Sequence, residues 1–422
     1  MPKTNEYITS YVWRIVLVGS VIYALFYIIV SFIVVTYPYQ LSYGEGFILN
    51  QAALITRGES IYQDITTSPF IVSNYPPVYP YLCALLVKLC GVSFSIGRFI
   101  SALATLLCGI IIYRIIKKTC GVVNGHVTRP AFVGFLFFLA SPFIYNYYPL
   151  FRVDALALLF SLLGLYCIFV FEDRTLAYIS IPFFILALYT KQNFIAAPIA
   201  TFIYLLFKNI KRGFGFAILF CLAYATIFLL LTRITRGQFY LHTIVYNANP
   251  FSILSLFKFY ISALQVHAFL FGFAFAYVIH GVLKKNVSLF ILYFILAACT
   301  ALSVGKIGSN LNYFGEMVAA SCILLGMLLT TQVFSHEKDR IVIMTGLVLQ
   351  LILFIHIPFV PGFTPTQTDL NDARKVSAII NTKPDPILSE NSGLLVVNKR
   401  IVVFQPFICT QLANQGSWDQ KP

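Results

Sequence analysis

The sequence predicts an all-α polytopic membrane protein with about eleven transmembrane helices, juxtamembrane helices on the outer face in the first loop, and a small C-terminal α/β extracytoplasmic domain. Of its 422 residues, 59% are hydrophobic and only 10% are charged, whereas a soluble domain carries about 25% charged residues. The mean hydropathy is +0.84. These values exclude a soluble globular protein and favour a chain that crosses the bilayer many times.

Eleven apolar runs are long enough, or nearly long enough, to span the membrane. They lie at about residues 12–35, 96–116, 131–148, 153–171, 175–190, 193–208, 213–232, 261–281, 288–304, 313–334 and 340–357. A twelfth run, at residues 77–92, is short, since sixteen helical residues cover about 24 Å of a hydrocarbon core of about 30 Å. We expect this run to be an interfacial or re-entrant helix on the outer face.

The distribution of basic residues supports that topology. If residues 77–92 do not span, fourteen of the Lys and Arg residues before the C-terminal tail lie inside and nine lie outside. If they do span, the two numbers are exchanged. Because basic residues are enriched in cytoplasmic loops, the first arrangement is favoured. It places the N-terminus inside and the C-terminal domain outside.

Two domains are expected. Residues 1–360 form the transmembrane catalytic domain, with its first outer loop at 36–95, and residues 361–422 form the small outer domain. In the tail, residues 369–380 have a helical pattern, and strands are expected near 386–388, 394–397 and 401–404. The tail is small for a self-sufficient core, so we expect it either to need the membrane domain or to be an incomplete part of a fuller domain.

Several function classes are disfavoured by what the sequence contains. The net charge is +14, and positive cytoplasmic loops and phosphate head groups explain it better than nucleic acid does. Most of the nine cysteines lie in apolar spans, and neither they nor the six histidines have the spacing of metal ligands. A nucleotide-binding glycine motif is also not evident.

Glu45 is the leading candidate for a catalytic residue. It lies just after the first span, in the first turn of a predicted helix at 44–57, where the helix dipole favours an ionised carboxylate. Such a carboxylate can take a proton from a sugar hydroxyl or hold a divalent cation such as Mg²⁺ or Mn²⁺. The alternative is a charge that only stabilises the helix N-terminus.

Other polar residues collect on the same side of the membrane. Arg152 and Asp154 flank the mouth of a span, where they either form a local ion pair or bind a phosphate. Lys191 and Gln192 lie in a very short turn, so that Lys191 either snorkels to the surface or meets an anionic group. The remaining candidates for substrate binding are Asp64, Arg98, Lys306, Asn310, Asn312, Tyr313 and Glu316.

The segment from Gly305 to Tyr313 is a glycine-rich polar turn that leads into a span. Its backbone amides and Lys306, at the start of a helix, are typical of an anion site. Glu316 follows one turn later, and a glutamate inside the membrane is costly unless it faces a cavity. We therefore expect this segment to contribute to the site.

These features occur in an order that resembles the GT-C superfamily of integral-membrane glycosyltransferases, in particular the bacterial group related to protein mannosyltransferases and aminoarabinose transferases. The resemblance covers about residues 10–335. It rests on Glu45, the Gly58 to Asp64 run, Tyr75-Pro76-Pro77, Gly97-Arg98, Arg152-Val153-Asp154, Tyr189 to Gln192, and Asn310 to Phe314. It implies a polyprenyl-phosphate sugar donor, an outward-facing active site, inversion at the anomeric carbon, and a catalytic acid in the first outer loop. It also implies a location in a bacterial cytoplasmic membrane.

The expected activity is therefore transfer of a sugar from a polyprenyl-phosphate donor to a glycan, lipid or protein acceptor at the outer surface of the bilayer. Glu45 would act as general base or hold a metal, and the basic residues would receive the leaving phosphate. Glu45→Gln would then abolish transfer and leave folding intact. The alternatives are a lipid-sugar transporter or flippase, and a non-catalytic assembly subunit, which the Gly44-Glu45-Gly46 departure from paired acids keeps open.

Overall fold

The computed structural model describes residues 2–119, 128–172, 175–330, 337–355 and 364–419, and its regular structure is helical. The helices of the membrane region are α1 (Pro2–Thr36), α2 (Tyr43–Thr56), α3 (Val78–Cys90), α4 (Phe94–Thr119), α5 (Thr128–Ala140), α6 (Pro142–Tyr147), α7 (Asp154–Val170), α8 (Ser180–Thr190), α9 (Ala196–Lys208), α10 (Ile210–Ile234), α11 (Gln238–Tyr240), α12 (Ile253–Leu283), α13 (Leu289–Ala301), α14 (Gly315–Leu328) and α15 (Glu337–Ile355). Those of the tail are α16 (Gln367–Thr382), α17 (Ser392–Val397) and α18 (Pro406–Asn414).

The helical membrane architecture confirms the predicted fold class in its main feature. Each of the eleven predicted apolar runs overlaps a helix. Within the described residues, five helices are both long and apolar enough to cross a bilayer. They are Tyr11–Thr36, Phe94–Thr119, Ile210–Ile234, Ile253–Leu283 and Leu311–Leu328. The run at 131–148 is broken into α5 and α6 at Ser141, because Pro142 begins a new helix and cannot donate a hydrogen bond to the preceding turn.

The bundle is organised around α14. Every residue of this helix is buried, and it packs against α12, α13 and α5. A helix that is apolar on all sides is stable only when other elements surround it. At the opposite extreme, α10 exposes most of its leucine and isoleucine side chains, as expected for a helix at the lipid-facing edge.

The first outer loop contains the two predicted juxtamembrane helices, α2 and α3, which pack against each other. Between them, residues 57–77 lack regular helix and are fastened from two sides. The backbone N–H of Ser73 donates to Nδ1 of His242 at 2.9 Å, and Nε2 of His242 lies 2.7 Å from the carbonyl oxygen of Gln63. On the other side, Phe70 exchanges backbone hydrogen bonds with Val403 and Gln405.

The tail is helical where strands were expected, and this prediction was wrong for residues 394–397. The side chain of Asn391 accepts the N–H of Leu394 and caps α17, so the apolar residues after it continue as a helix that packs on α2. Residues 386–388 are not in a strand, and near 401–404 only an isolated bridge joins Phe404 to Phe70. The predicted boundary at 360–361 lies outside the described residues.

Candidate active site

Glu45 forms a fully buried ion pair with Arg98. The Nε atom of Arg98 donates to Oε1 of Glu45 at 2.8 Å, and its Nη2 donates to Oε2 at 2.7 Å. Neither side chain has any exposed surface. The remaining N–H groups of Arg98 donate to the backbone carbonyl oxygens of Val34, Tyr37 and Tyr39. The pair therefore ties α4 to the chain that leaves α1.

Both oxygens of Glu45 also accept backbone hydrogen bonds. Oε2 accepts from the N–H groups of Leu41 and Ser42, and Oε1 accepts from the N–H of Phe151 at 2.8 Å. Burial alone would raise the pKa of Glu45, but the Arg98 charge and these hydrogen bonds outweigh it and lower the pKa. Glu45 is thus an ionised carboxylate whose lone pairs are already used.

The two glycines around Glu45 have a steric explanation. A Cβ atom at Gly44 would lie 3.3 Å from Nη1 of Arg152, and one at Gly46 would collide with the backbone of Gly393 in α17. The lack of side chains at Gly44 and Gly46 therefore lets Arg152 approach α2 on one side and lets the tail helix α17 approach it on the other.

A second charged network is centred on Asp154, at the N-terminus of α7. Oδ1 of Asp154 accepts from Nζ of Lys191 at 2.6 Å and from Nδ2 of Asn312 at 2.7 Å. Oδ2 lies 3.4 Å from Nε of Arg152, a distance that makes this a weak hydrogen bond. Of the four carboxylate oxygens of Glu45 and Asp154, Oδ2 is therefore the least engaged.

Lys191 connects this network to a polar cavity of about 190 Å³. Its Nζ lies 4.1 Å from the centre of the Tyr313 ring, which places the charge over the aromatic face. Burial alone would lower the pKa of Lys191, but Asp154, Tyr313 and Tyr75 together outweigh burial, so the pKa is raised. The lining residues are Asn74, Tyr75, Lys191, Gln192, Asn193, Asn247, Asn249, Ser303, Lys306, Ile307, Gly308, Ser309, Tyr313, Phe407 and Ile408.

Lys306 is the second cation of the cavity. Its Nζ donates to Oδ1 of Asn247 at 2.8 Å, and it forms no salt bridge within the part of the chain that the structure describes. Burial and the nearby charge of Lys191 lower the pKa of Lys306 to about 8. A lysine without a carboxylate partner in a partly buried cavity is well suited to receive an anionic group.

The structure brings together some of the predicted site residues and separates others. Lys191, Gln192, Lys306 and Tyr313 line the cavity, and Asp154, Asn312 and Arg152 lie behind Lys191 in one network. The other five predicted residues do not line it. Glu45 and Arg98 bind each other, Asp64 caps the turn at Thr66, Asn310 accepts from Tyr147, and Glu316 accepts from Tyr293 inside the bundle.

Sequence reasoning missed several lining residues. Asn247 and Asn249 lie in the irregular segment between α11 and α12, and Phe407 comes from α18. The only local signal was the Asn-Ala-Asn-Pro run at 247–250, whose residues favour turns. Asn74 and Tyr75 precede Pro76 and Pro77, and residues before proline favour extended chain, a pattern that does not reveal a cavity.

The carboxylates do not fit the expected divalent cation. Within the described ranges, no group of three His, Cys, Asp or Glu side chains has an arrangement that could hold a metal ion. The oxygens of Glu45 and Asp154 face Arg and Lys donors, which supply the positive charge that Mg²⁺ or Mn²⁺ would otherwise supply.

Comparisons with known proteins agree with the resemblance seen in the motifs. Residues 74–233 match the family described as dolichyl-phosphate-mannose-protein mannosyltransferase. The structure is similar to ArnT from Cupriavidus metallidurans bound to undecaprenyl phosphate, with a TM-score of 0.60 at 11% identity over 93% of this chain and 87% of that chain. The apo state of the same ArnT gives a TM-score of 0.60 at 12% identity over 94% of this chain and 88% of that chain.

A weaker similarity joins the chain to the oligosaccharyltransferase of Archaeoglobus fulgidus, with a TM-score of 0.48 at 14% identity over 85% of this chain and 55% of that chain. No curated protein sequence matches the chain. The similarity to ArnT covers nearly the whole bundle and concerns the fold, whereas the family match is confined to residues 74–233. In its fold and in this part of its sequence, the chain thus resembles the GT-C integral-membrane glycosyltransferases, as the motifs predicted.

Proposed function

We propose that this protein is an inverting glycosyltransferase that moves one sugar from a polyprenyl-phosphate donor to an acceptor at the extracytoplasmic face of the membrane. The observation that carries the proposal is the cavity with two lysines, one paired with Asp154 and one without a carboxylate partner among the described residues. The family match and the likeness of the fold to ArnT support glycosyl transfer from a lipid-linked donor.

The lysines suit the leaving group. When the bond between the anomeric carbon and the phosphate oxygen breaks, both bonding electrons stay with the phosphate, which gains negative charge. Fixed cations in a partly buried site stabilise that charge strongly, because they need no reorganisation during the reaction. Lys306 offers an uncompensated charge, and Lys191 is held in place by Asp154 and Tyr313.

The base that we assign is Asp154. The acceptor hydroxyl attacks the anomeric carbon and loses its proton, and a carboxylate is needed to receive that proton. Oδ2 of Asp154 has only the 3.4 Å contact with Arg152, whereas both oxygens of Glu45 are fully engaged. A shift of Arg152, whose side chain is 17% exposed, would free Oδ2. Glu45 then acts as a positioning residue that holds Phe151, next to Arg152.

The orientation follows from charge. The cavity lies where the first outer loop, the turn after α8, the segment before α12 and the turn before α14 meet. All of these segments are on one side in the topology with fourteen basic residues inside and nine outside. The donor lipid would present its phosphate at this side, with its chain in the bilayer.

A transfer assay in proteoliposomes tests the function. Wild-type protein is expected to transfer or hydrolyse at least one radiolabelled donor from a panel of polyprenyl-phosphate sugars. Lys306→Met should lower turnover by about 10²-fold or more, the usual scale for loss of a charge-stabilising group. Lys258→Met removes an exposed lysine in α12 that does not line the cavity and should behave as wild type. If no donor is turned over while lipid binding persists in all three proteins, a transporter or a silent subunit becomes the better description.

The pH dependence of phosphate binding provides a second prediction. Since the pKa of Lys306 is lowered from 10.5 to about 8, the free protein carries this charge below pH 8 and loses it above. Affinity for undecaprenyl phosphate should therefore fall as the pH rises through about 8, and Lys306→Arg should keep the affinity because arginine stays charged.

The stability of the protein should change in the opposite direction. Between about pH 8 and 10.5 an unfolded chain binds a proton at Lys306 that the folded chain does not, so this residue makes folding more favourable as the pH rises. If binding were lost only because the protein unfolded, the loss would therefore not begin near pH 8. An affinity that does not change between pH 7 and 9.5 would contradict the role of Lys306.

A further inference from the structure

The cavity contains hydrogen-bond acceptors without partners, which binding of a phosphate alone does not explain. Three of its amide side chains have carbonyl oxygens that are buried and have no hydrogen-bond partner among the described residues: Oε1 of Gln192, Oδ1 of Asn193 and Oδ1 of Asn249. A buried acceptor without a partner is unfavourable, because it has lost its hydration without gaining a hydrogen bond. Three of them around one cavity indicate a ligand that brings several hydrogen-bond donors.

The orientation of two of these amides is determined by their surroundings. Nε2 of Gln192 donates to the carbonyl oxygens of Asn74 and Thr243, at 2.9 and 3.2 Å. Nδ2 of Asn249 donates to the carbonyl oxygen of Ile307 at 2.9 Å. If either amide were reversed, its oxygen would face carbonyl oxygens. The free atoms are therefore the carbonyl oxygens, and they are acceptors only.

The charges of the cavity are one-sided. Among its lining residues are Lys191 and Lys306, and these residues do not include a carboxylate. The nearest acid in the network, Asp154, already pairs with Lys191 and Arg152. A ligand with hydroxyl groups can donate hydrogen bonds to the three amide oxygens without adding a charge. An ammonium group would instead lie near two lysine cations, and no carboxylate among the lining residues would compensate its charge.

The size and the walls of the cavity also limit its occupant. A volume of about 190 Å³ exceeds by far the roughly 15 Å³ that one water molecule requires, and it suits one sugar ring better than a chain of several. The outer wall is formed by Phe407 and Ile408 of α18. The Phe407 ring lies directly against Gly308, where an added Cβ would be 2.9 Å from its Cζ atom, so the wall is closed at this contact.

We propose that this amide-lined cavity is the sugar subsite of the donor, and that it selects a single uncharged sugar bearing free hydroxyl groups and rejects amino sugars. Gln192, Asn193 and Asn249 are the residues that determine this specificity. The inference rests on the proposed function, since it assigns the sugar part of the same lipid-phosphate donor. It also separates this chain from the aminoarabinose transferases that its motifs resemble.

The experiment compares pairs of undecaprenyl-phosphate sugars that differ only by a hydroxyl or an ammonium group, such as glucose and 2-amino-2-deoxyglucose. Binding and transfer are both measured in proteoliposomes, together with binding of undecaprenyl phosphate without a sugar. Wild-type protein should prefer the neutral sugar of each pair by at least about tenfold, because like charges in a desolvated site repel strongly.

Asn193→Asp is the decisive variant, since it keeps the shape of the side chain and adds one negative charge to the cavity. The ratio of binding for the amino sugar over the neutral sugar should rise by about tenfold or more. Asn249→Asp serves as a second variant if Asn193→Asp does not fold. Asn209→Asp adds the same charge at an exposed helix cap away from the cavity and should leave the ratio unchanged.

The outcomes separate the two proposals. Failure of undecaprenyl phosphate itself to bind would overturn the proposed function. Normal binding of the lipid phosphate, with equal affinity for both sugars of a pair or with a preference for the amino sugar, would overturn the specificity assigned here and leave the function standing. A sugar-bearing donor that binds no more tightly than the bare lipid phosphate would show that the cavity is not the sugar subsite.

Discussion

Replacement of Glu45 by glutamine is expected to destabilise the protein by about 3–5 kcal/mol, the usual cost of removing one partner from a buried ion pair. Arg98 would remain in a site without solvent access, and three backbone N–H groups would lose an ionised acceptor. The measurement is thermal or denaturant unfolding in detergent. This expectation differs from the one drawn from the sequence, in which Glu45→Gln leaves folding intact.

The same region offers a matched control. Arg57 and Glu59, which follow α2, also form an ion pair, but their side chains are 54% and 45% exposed. Glu59→Gln should therefore change stability by less than about 1 kcal/mol. The double variant Glu45→Gln with Arg98→Met should be more stable than Glu45→Gln alone, because it removes the orphaned charge. A Glu45→Gln protein that unfolds like wild type and is inactive would restore Glu45 as the general base.

Asp154→Asn should lower the rate of transfer by about 10²–10⁴-fold, the range usually found for loss of a general base. Asparagine keeps the size of the side chain and an acceptor for Lys191 but cannot receive the proton of the acceptor hydroxyl. The rate is measured under donor saturation, so that weaker binding does not contribute to it. The Michaelis constant for the donor should change less than kcat does.

Stability must be separated from catalysis here too, because Lys191 would lose a buried partner. Asp154→Asn combined with Lys191→Met removes both charges of that pair and should recover stability relative to Asp154→Asn while remaining inactive. Asp372→Asn, which affects an exposed pair with Lys375 in α16, should alter neither property. Near-normal turnover in Asp154→Asn would require a different base.

Local pattern was enough to predict most of the bundle. Apolar length predicted a helix on each expected span, and helical spacing predicted a helix at 44–57 with Glu45 in its first turn, which the structure contains as α2. Sequence pattern cannot show which distant residue a charged side chain contacts in the folded protein. Arg98 lies 53 residues from Glu45 in sequence, and their contact depends on how α4 and α2 pack.

The tail shows a different limit. Leu394, Leu395, Val396 and Val397 form a short apolar run that composition alone cannot distinguish from a strand. The deciding interactions are the cap by Asn391 and the close approach of Gly393 to Gly46. Likewise, Asn249 and Phe407 are more than 150 residues apart in the chain, and only the folded arrangement places both at one cavity.

The contribution of α18 to the cavity has a consequence for how the protein is made. Phe407 and Ile408 leave the ribosome after every membrane helix from α1 to α15, so a nascent chain that has already inserted those helices still lacks the outer wall of its cavity. The backbone hydrogen bonds between Phe70 and residues 403 and 405 then join the loop between α2 and α3 to this later segment. Completion of the cavity therefore waits for a segment that is translated after the membrane helices, and a chain truncated before Pro406 is expected to insert into the bilayer with its cavity open on that side.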